Sequence, residues 1–144
     1  MKNAFDGEGA RLYGGRWNPP GVAMVYTAGT KSLAMLELMV HVPVAQLPRD
    51  YACIPVDFDA KIMKSIDRAE LAQGWRTYPA TNATRNVGAR WVHDGVSAIL
   101  EAPSVIVPEE SNYLMNPRHP GFARIRIGSP EPLDLDARLL KNAR

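Results

Sequence analysis

The chain has 144 residues and a mass of 15.9 kDa, enough for one buried core and too little for two. With 46% hydrophobic and 22% charged residues it has the apolar surface to offset the entropy of ordering, which excludes a disordered or collagen-like chain. Seventeen Lys and Arg against fifteen Asp and Glu leave a net charge of +2 with no basic run, so direct nucleic-acid binding is not expected.

The opening stretch, Lys2 to Gly21, is rich in Gly and Pro and dotted with Phe5, Leu12, Tyr13 and Trp17, and it reads as a structured loop. Asn18-Pro19-Pro20-Gly21 is a turn signal, with Gly21 at the position that needs a positive φ. Val22 to Thr27 is a short strand. Thr30 caps a helix over Lys31 to His41, and Pro43 stops it. That helix is apolar nearly all round, which predicts a place in the core. Tyr51 to Phe58 is a strand demoted toward an edge by Pro55, and Ala60 to Leu71 holds short helical turns. Thr81 to Asp94 is a second helix, closed by Gly95. Ser97 to Leu100 and Ser104 to Val107 follow as two strands, and Ser111 to Met115 as a helical turn. Phe122 to Ile127 alternates as a half-buried strand, and Leu133 to Leu135 is a last short one. The order lacks regular βαβ alternation, so the class is α+β with a mixed or antiparallel sheet.

Several motif readings fail. Gly7-Glu8-Gly9 lacks the third glycine and the preceding strand of a dinucleotide fingerprint. His41, His93 and His119 have no partner at metal-ligand spacing, so no metal is expected. Cys53 is alone, which excludes an internal disulfide and fits a reducing compartment. The first nine residues carry no apolar run, so no signal peptide is expected. The longest apolar stretch, Ser32 to Val44, is too short to cross a bilayer, so the expectation is a cytoplasmic protein away from membranes.

One constellation stands out. Gly14-Gly15-Arg16-Trp17-Asn18 sets two flexible residues before an arginine, and Tyr26 ends the next strand. Glu37 lies within an apolar helix, where a carboxylate needs a cation or hydrogen-bond donors, and Arg16 is the obvious partner. Ser104 follows Pro103, and Asn112, Asn116 and His119 punctuate a polar run towards the C-terminal end. Read structurally, these residues make an Arg16–Glu37 ion pair, core aromatics and satisfied loops; read functionally, they line a ligand site.

In this order, Gly-Glu-Gly-Ala, Gly-Gly-Arg-Trp-Asn, a strand ending in Tyr, a helix with a central Glu, Pro-Ser and Asn-Tyr-Leu-x-Asn-Pro-x-His-Pro, the chain resembles the RES-domain toxins of bacterial toxin–antitoxin pairs, from about Asp6 to Leu139. The resemblance implies a single domain over residues 1–144 with an ADP-ribosyltransferase-like fold, a split mixed β-core with flanking helices. It implies an enzyme that depletes NAD+ by breaking the nicotinamide–ribose bond, by hydrolysis or by phosphorolysis with phosphate as co-substrate and no cofactor. Alternatively, ADP-ribose passes to a protein. The implied partner is an antitoxin with an Xre-type helix-turn-helix domain, which covers the active site in a hetero-oligomer. Residue by residue it implies catalytic roles for Arg16, Tyr26, Glu37 and Ser104, with Trp17, Asn18, Asn112, Asn116 and His119 binding substrate. Family members begin with a further strand that carries another Arg; Met1 here stands only a few residues before the Gly-Glu-Gly-Ala run, so either the start is truncated or misassigned, or this member lacks that strand and one NAD+ contact. This departure keeps a third reading open, a non-catalytic nucleotide-binding or antitoxin-binding module.

The residue types suit the implied chemistry. Breaking the nicotinamide–ribose bond develops positive charge on the ribose, which a fixed carboxylate stabilises. A guanidinium grips the diphosphate in a fork. Tyr26 is expected to stack on the nicotinamide or order the ribose, and Ser104 to donate to the nicotinamide amide or position water or phosphate.

Overall fold

The computed structural model describes residues 3–43, 46–47 and 49–140; Lys2 and Val44, at the ends of two predicted stretches, lie outside them, as do the last residues of the single domain expected over 1–144. Three helices, α1 (Glu8–Tyr13), α2 (Lys31–His41) and α3 (Asn82–Asp94), accompany eight strands. These are β1 (Val25–Ala28), β2 (Ala52–Cys53), β3 (Val56–Asp57), β4 (Met63–Ser65), β5 (Ile99–Pro103), β6 (Ser111–Met115), β7 (Arg126–Ile127) and β8 (Glu131–Pro132). Four strands form a mixed sheet in the order β1-β6-β5-β4, antiparallel except for the β4–β5 pair. A parallel pair needs a crossover, and α3 lies within it. Two antiparallel ribbons, β2-β8 and β3-β7, stand apart from this sheet.

The core lies on both faces of the four-stranded sheet. Val25, Met115 and Ile99 are in register, and pack on one face with Phe5, Ile62 and Ile125. Their neighbours Leu114 and Leu100 point the other way, to Trp17, Met24, Trp91 and Ala102. A strand buried on both faces loses its period-2 signature. That is why Ser111–Met115, read as a helical turn, is instead the central strand β6.

The helix ends follow local chemistry. Thr30 accepts the Leu33 N–H at 3.1 Å at the start of α2, and Gly95 closes α3 at φ +65°. Gly21 turns at φ +99° as predicted. Five other expectations are corrected. The opening stretch contains α1, a six-residue helix with no buried residue and hence no apolar stripe to betray it. Ser104–Val107 is not a strand, because the Ser104 hydroxyl captures the Ile106 and Val107 N–H groups and turns the chain. His119 caps a 3-10 turn over Pro120–Arg124, which leaves only Arg126–Ile127 of the predicted strand, and the last strand is Glu131–Pro132 rather than Leu133–Leu135. Finally, α2 is not engulfed: only Leu33 is buried, while Leu36 and Val40 are 41% and 62% exposed. No helix among the described residues is long and apolar enough to cross a membrane.

Candidate functional site

The loop over residues 14–18 is closed by a hydrogen bond from the Gly15 N–H to the Asn18 carbonyl at 2.9 Å. Its centre is Asn18, which is fully buried. The Asn18 amide donates to the carbonyls of Ala10 and Val22 at 2.9 and 3.0 Å, and its Oδ1 accepts the Tyr26 hydroxyl at 2.5 Å. The same hydroxyl accepts the Trp17 N–H at 3.1 Å. Tyr26 is 40% exposed, yet its hydroxyl is enclosed by the loop, so the exposure belongs to the ring. Desolvation pushes the Tyr26 phenol up to about 12, and it stays protonated at neutral pH. Gly15 is required sterically: a Cβ there would lie 2.7 Å from the Tyr26 Oη and 3.0 Å from its Cζ. The double glycine thus lets a tyrosine approach the backbone. Trp17 is 2% exposed and packs in the core beside Trp75.

We predict that Asn18→Ala lowers stability by about 2 kcal/mol, because two backbone carbonyls and a phenol lose their buried partner. Urea unfolding measures this, and unchanged stability would show that the amide is dispensable.

Glu37 sits one turn beyond buried Leu33 and shares its face of α2. The Ser104 hydroxyl donates to Glu37 Oε1 at 3.1 Å. It also accepts the N–H groups of Ile106 and Val107, each at 3.1 Å. Ser104 is fully buried, and these bonds commit its single proton and both lone pairs. The loop that carries Ser104 is held from outside by Arg76, which donates to the Val105 carbonyl, and by Arg68, which donates to that of Pro108.

Arg16 and Glu37 come together without touching. No ion pair joins them among the described residues, whose salt bridges are Arg11–Glu8 and Arg138–Asp136. Instead one Arg16 terminal nitrogen donates to the carbonyls of Trp75 and Thr77, at 2.9 and 2.6 Å. Burial pulls the Arg16 guanidinium below its ordinary value, and the nearby Glu37 carboxylate pulls it back up. The Arg16 Nε and the other terminal nitrogen meet no acceptor among the described residues.

The remaining predicted residues divide. Asn112 stands in register between Ala28 and Ala102, on the sheet face that also carries Tyr26, and donates to the Thr27 carbonyl. Asn116 and His119 lie past the other end of β6. Asn116 donates its N–H to Ala98, six residues and thus roughly 20 Å along the strand from Ser104. Its Oδ1 accepts the Arg118 N–H. His119 bonds the Gly95 carbonyl and the Gly121 N–H, both at 2.8 Å, which fixes the neutral tautomer with the proton on Nε2. A cavity of about 560 Å3 opens at the far edge of the sheet, between Lys64 of β4 and Trp91 of α3. None of the predicted residues lines it, and convergent polar groups rather than volume mark a reactive site. No cluster among the described residues offers three metal ligands. Arg76 stands in no motif, so the sequence carries no signal for it.

The family model of the RES domain matches residues 1–136. The Prs ADP-ribosylating toxin of Sphingobium sp. (strain YBL2) is 36% identical over 142 residues, covering 96% of this chain and 88% of its own. Toxin Res of Photorhabdus laumondii is 36% identical over 143 residues, covering 98% and 91%. Toxin Res of Yersinia enterocolitica is 34% identical over 133 residues, covering 92% and 87%. A chain of the crystal structure of the M. tuberculosis MbcT–MbcA toxin–antitoxin complex superposes with a TM-score of 0.68 at 18% identity, covering 100% of this chain and 84% of that one. The fold is therefore the expected one, an α+β, ADP-ribosyltransferase-like split mixed core with flanking helices.

Proposed function

The chain belongs to the RES-domain family of toxins, and from that premise we propose that it is an enzyme which cleaves the nicotinamide–ribose bond of NAD+ at the Arg16–Glu37 site. One observation carries the reading. A carboxylate held in place by a buried serine lies within electrostatic reach of a guanidinium that has no carboxylate partner among the described residues.

The chemistry assigns each group a task. The unengaged N–H donors of Arg16 bind the diphosphate, while its other donors hold the Trp75–Thr77 segment. The Tyr26 hydroxyl is committed to Asn18 and Trp17, so Tyr26 works through its exposed ring, stacking on the nicotinamide. The C–N bond breaks with its electron pair leaving on neutral nicotinamide. The positive charge left on the ribose faces Glu37 Oε2, because Oε1 accepts the Ser104 proton. Ser104, with no proton to spare, is a positioning residue for Glu37 rather than a donor to substrate. Water, giving up a proton to solvent, or phosphate then bonds to the cationic carbon. Asn112 borders this face of the sheet, whereas Trp17, Asn18, Asn116 and His119 support the loops.

A second reading is favoured by the relative named an ADP-ribosylating toxin: the acceptor is a protein side chain, and the same cleavage precedes it. The solved toxin–antitoxin complex supports an antitoxin as partner, and we assign it to the Xre type. We assign the enzyme to the cytoplasm, where NAD+ is plentiful.

Purified antitoxin-free chain is expected to release nicotinamide from NAD+. Release that requires phosphate selects phosphorolysis; release without it selects hydrolysis; an ADP-ribose adduct on a target, seen by mass spectrometry, selects transfer. A folded chain that binds NAD+ and releases nothing would establish the non-catalytic module instead.

A further inference from the structure

Arg85 lies on α3, one turn before Gly88, and its Nε donates to the Gly15 carbonyl at 3.2 Å. That carbonyl belongs to the peptide leading into Arg16. Among the described residues, neither terminal nitrogen of Arg85 meets an acceptor, and no carboxylate pairs with it within 4 Å. Two half-buried arginines therefore meet at one loop, Arg16 from within it and Arg85 through the Gly15 carbonyl, and they are close enough for Arg85 to disfavour the charge on Arg16. Arg85 also acts on the Tyr26 phenol through its charge, as Arg16 does. Held this way, like charges repel, and the arrangement is relieved by an anion between them that takes a planar fork from each.

We infer that Arg85 is a second substrate-binding residue, which with Arg16 grips the diphosphate bridge of the dinucleotide. The inference rests on the NAD+ reading and extends it. Arg16 has one free fork, its Nε and second terminal nitrogen, since the other nitrogen holds Trp75 and Thr77, and a diphosphate offers acceptors to a second. The two arginines differ in origin: one comes from a loop and one from a helix braced on that loop. The spacing between them is set by the Arg85–Gly15 bond.

The test uses the full chain, calorimetric binding of ADP-ribose, and inorganic pyrophosphate as a competitor of NAD+ cleavage. In Arg85→Ala, ADP-ribose binding is expected to weaken about 10- to 100-fold, the range for loss of a charge-assisted contact. The KM for NAD+ should rise in parallel, kcat should stay within about threefold, and inhibition by pyrophosphate should be lost. Arg85→Lys, which keeps the charge without the fork, should fall between wild type and Arg85→Ala. Undiminished ADP-ribose binding in Arg85→Ala would overturn the assignment. So would a fall in kcat as large as the rise in KM, since that marks a mere brace for the loop. If Arg85→Ala does not fold, failure of pyrophosphate to compete in the wild-type enzyme overturns it. A wild-type chain that binds neither NAD+ nor ADP-ribose would instead remove the NAD+ reading itself, a result distinguishable from any effect of Arg85.

Discussion

Glu37→Gln is expected to reduce nicotinamide release from NAD+ by at least about a hundredfold, with the fold intact. The amide has the shape of the carboxylate and retains an oxygen to accept the Ser104 hydroxyl, so α2 and the loop after β5 keep their contact. What it loses is the negative charge that the proposed mechanism sets opposite the ribose. Such a preorganised electrostatic contact contributes about 3–4 kcal/mol to the transition state, equivalent to two to three orders of magnitude in rate. Little change in KM is expected, because the charge it answers develops only as the bond breaks. Steady-state assay of the purified variant, with circular dichroism to check its fold, measures this. Full activity in Glu37→Gln would remove the carboxylate from the mechanism. Undiminished toxicity of the same variant in cells would point to a module acting without turnover.

Gly88→Ala is expected to be the most damaging small substitution for stability. In an exposed helix this exchange is favourable by nearly 1 kcal/mol, since alanine is the better helix former. Here a Cβ would fall on the carbonyl oxygen of Trp17 and lie 2.7 Å from its carbonyl carbon. The obstacle is backbone, which cannot rotate aside, so α3 must lift from the loop that carries Arg16. A net loss of about 3 kcal/mol or more is expected, lowering the melting temperature by roughly 10 °C. Because Arg85 is three residues earlier on the same helix, ligand binding should fall further than stability alone explains. Thermal unfolding and ADP-ribose titration of the folded fraction measure the two effects. A variant as stable as wild type would show that α3 is free to move away from Trp17.

The parts of the site that were legible in the sequence are those fixed by neighbours. Arg16 follows two glycines, and Glu37 interrupts an apolar helix. Both were visible as anomalies. Their relation was not. Arg16 was expected to pair with Glu37, but its donors go to Trp75 and Thr77, in a segment with no motif of its own. The resemblance assigns Asn18 and Ser104 to the site without showing how they are held. They are buried, with their hydrogen bonds turned inward, and burial is a property of the assembled loops.

Sequence by itself determined α2: the predicted bounds, Lys31 to His41, are the observed ones, because the Thr30 cap and the Pro43 stop act within a few residues. It determined α3 to one residue at its start for the same reason. Only the tertiary structure decided that Ser111–Met115 is a central strand, and that Ser104 meets Glu37 across 67 residues and Arg85 meets Gly15 across 70. Caps and turns are set by the local backbone. Strand register and the approach of distant side chains depend on which surfaces pack together, and that is settled only when the whole core is buried.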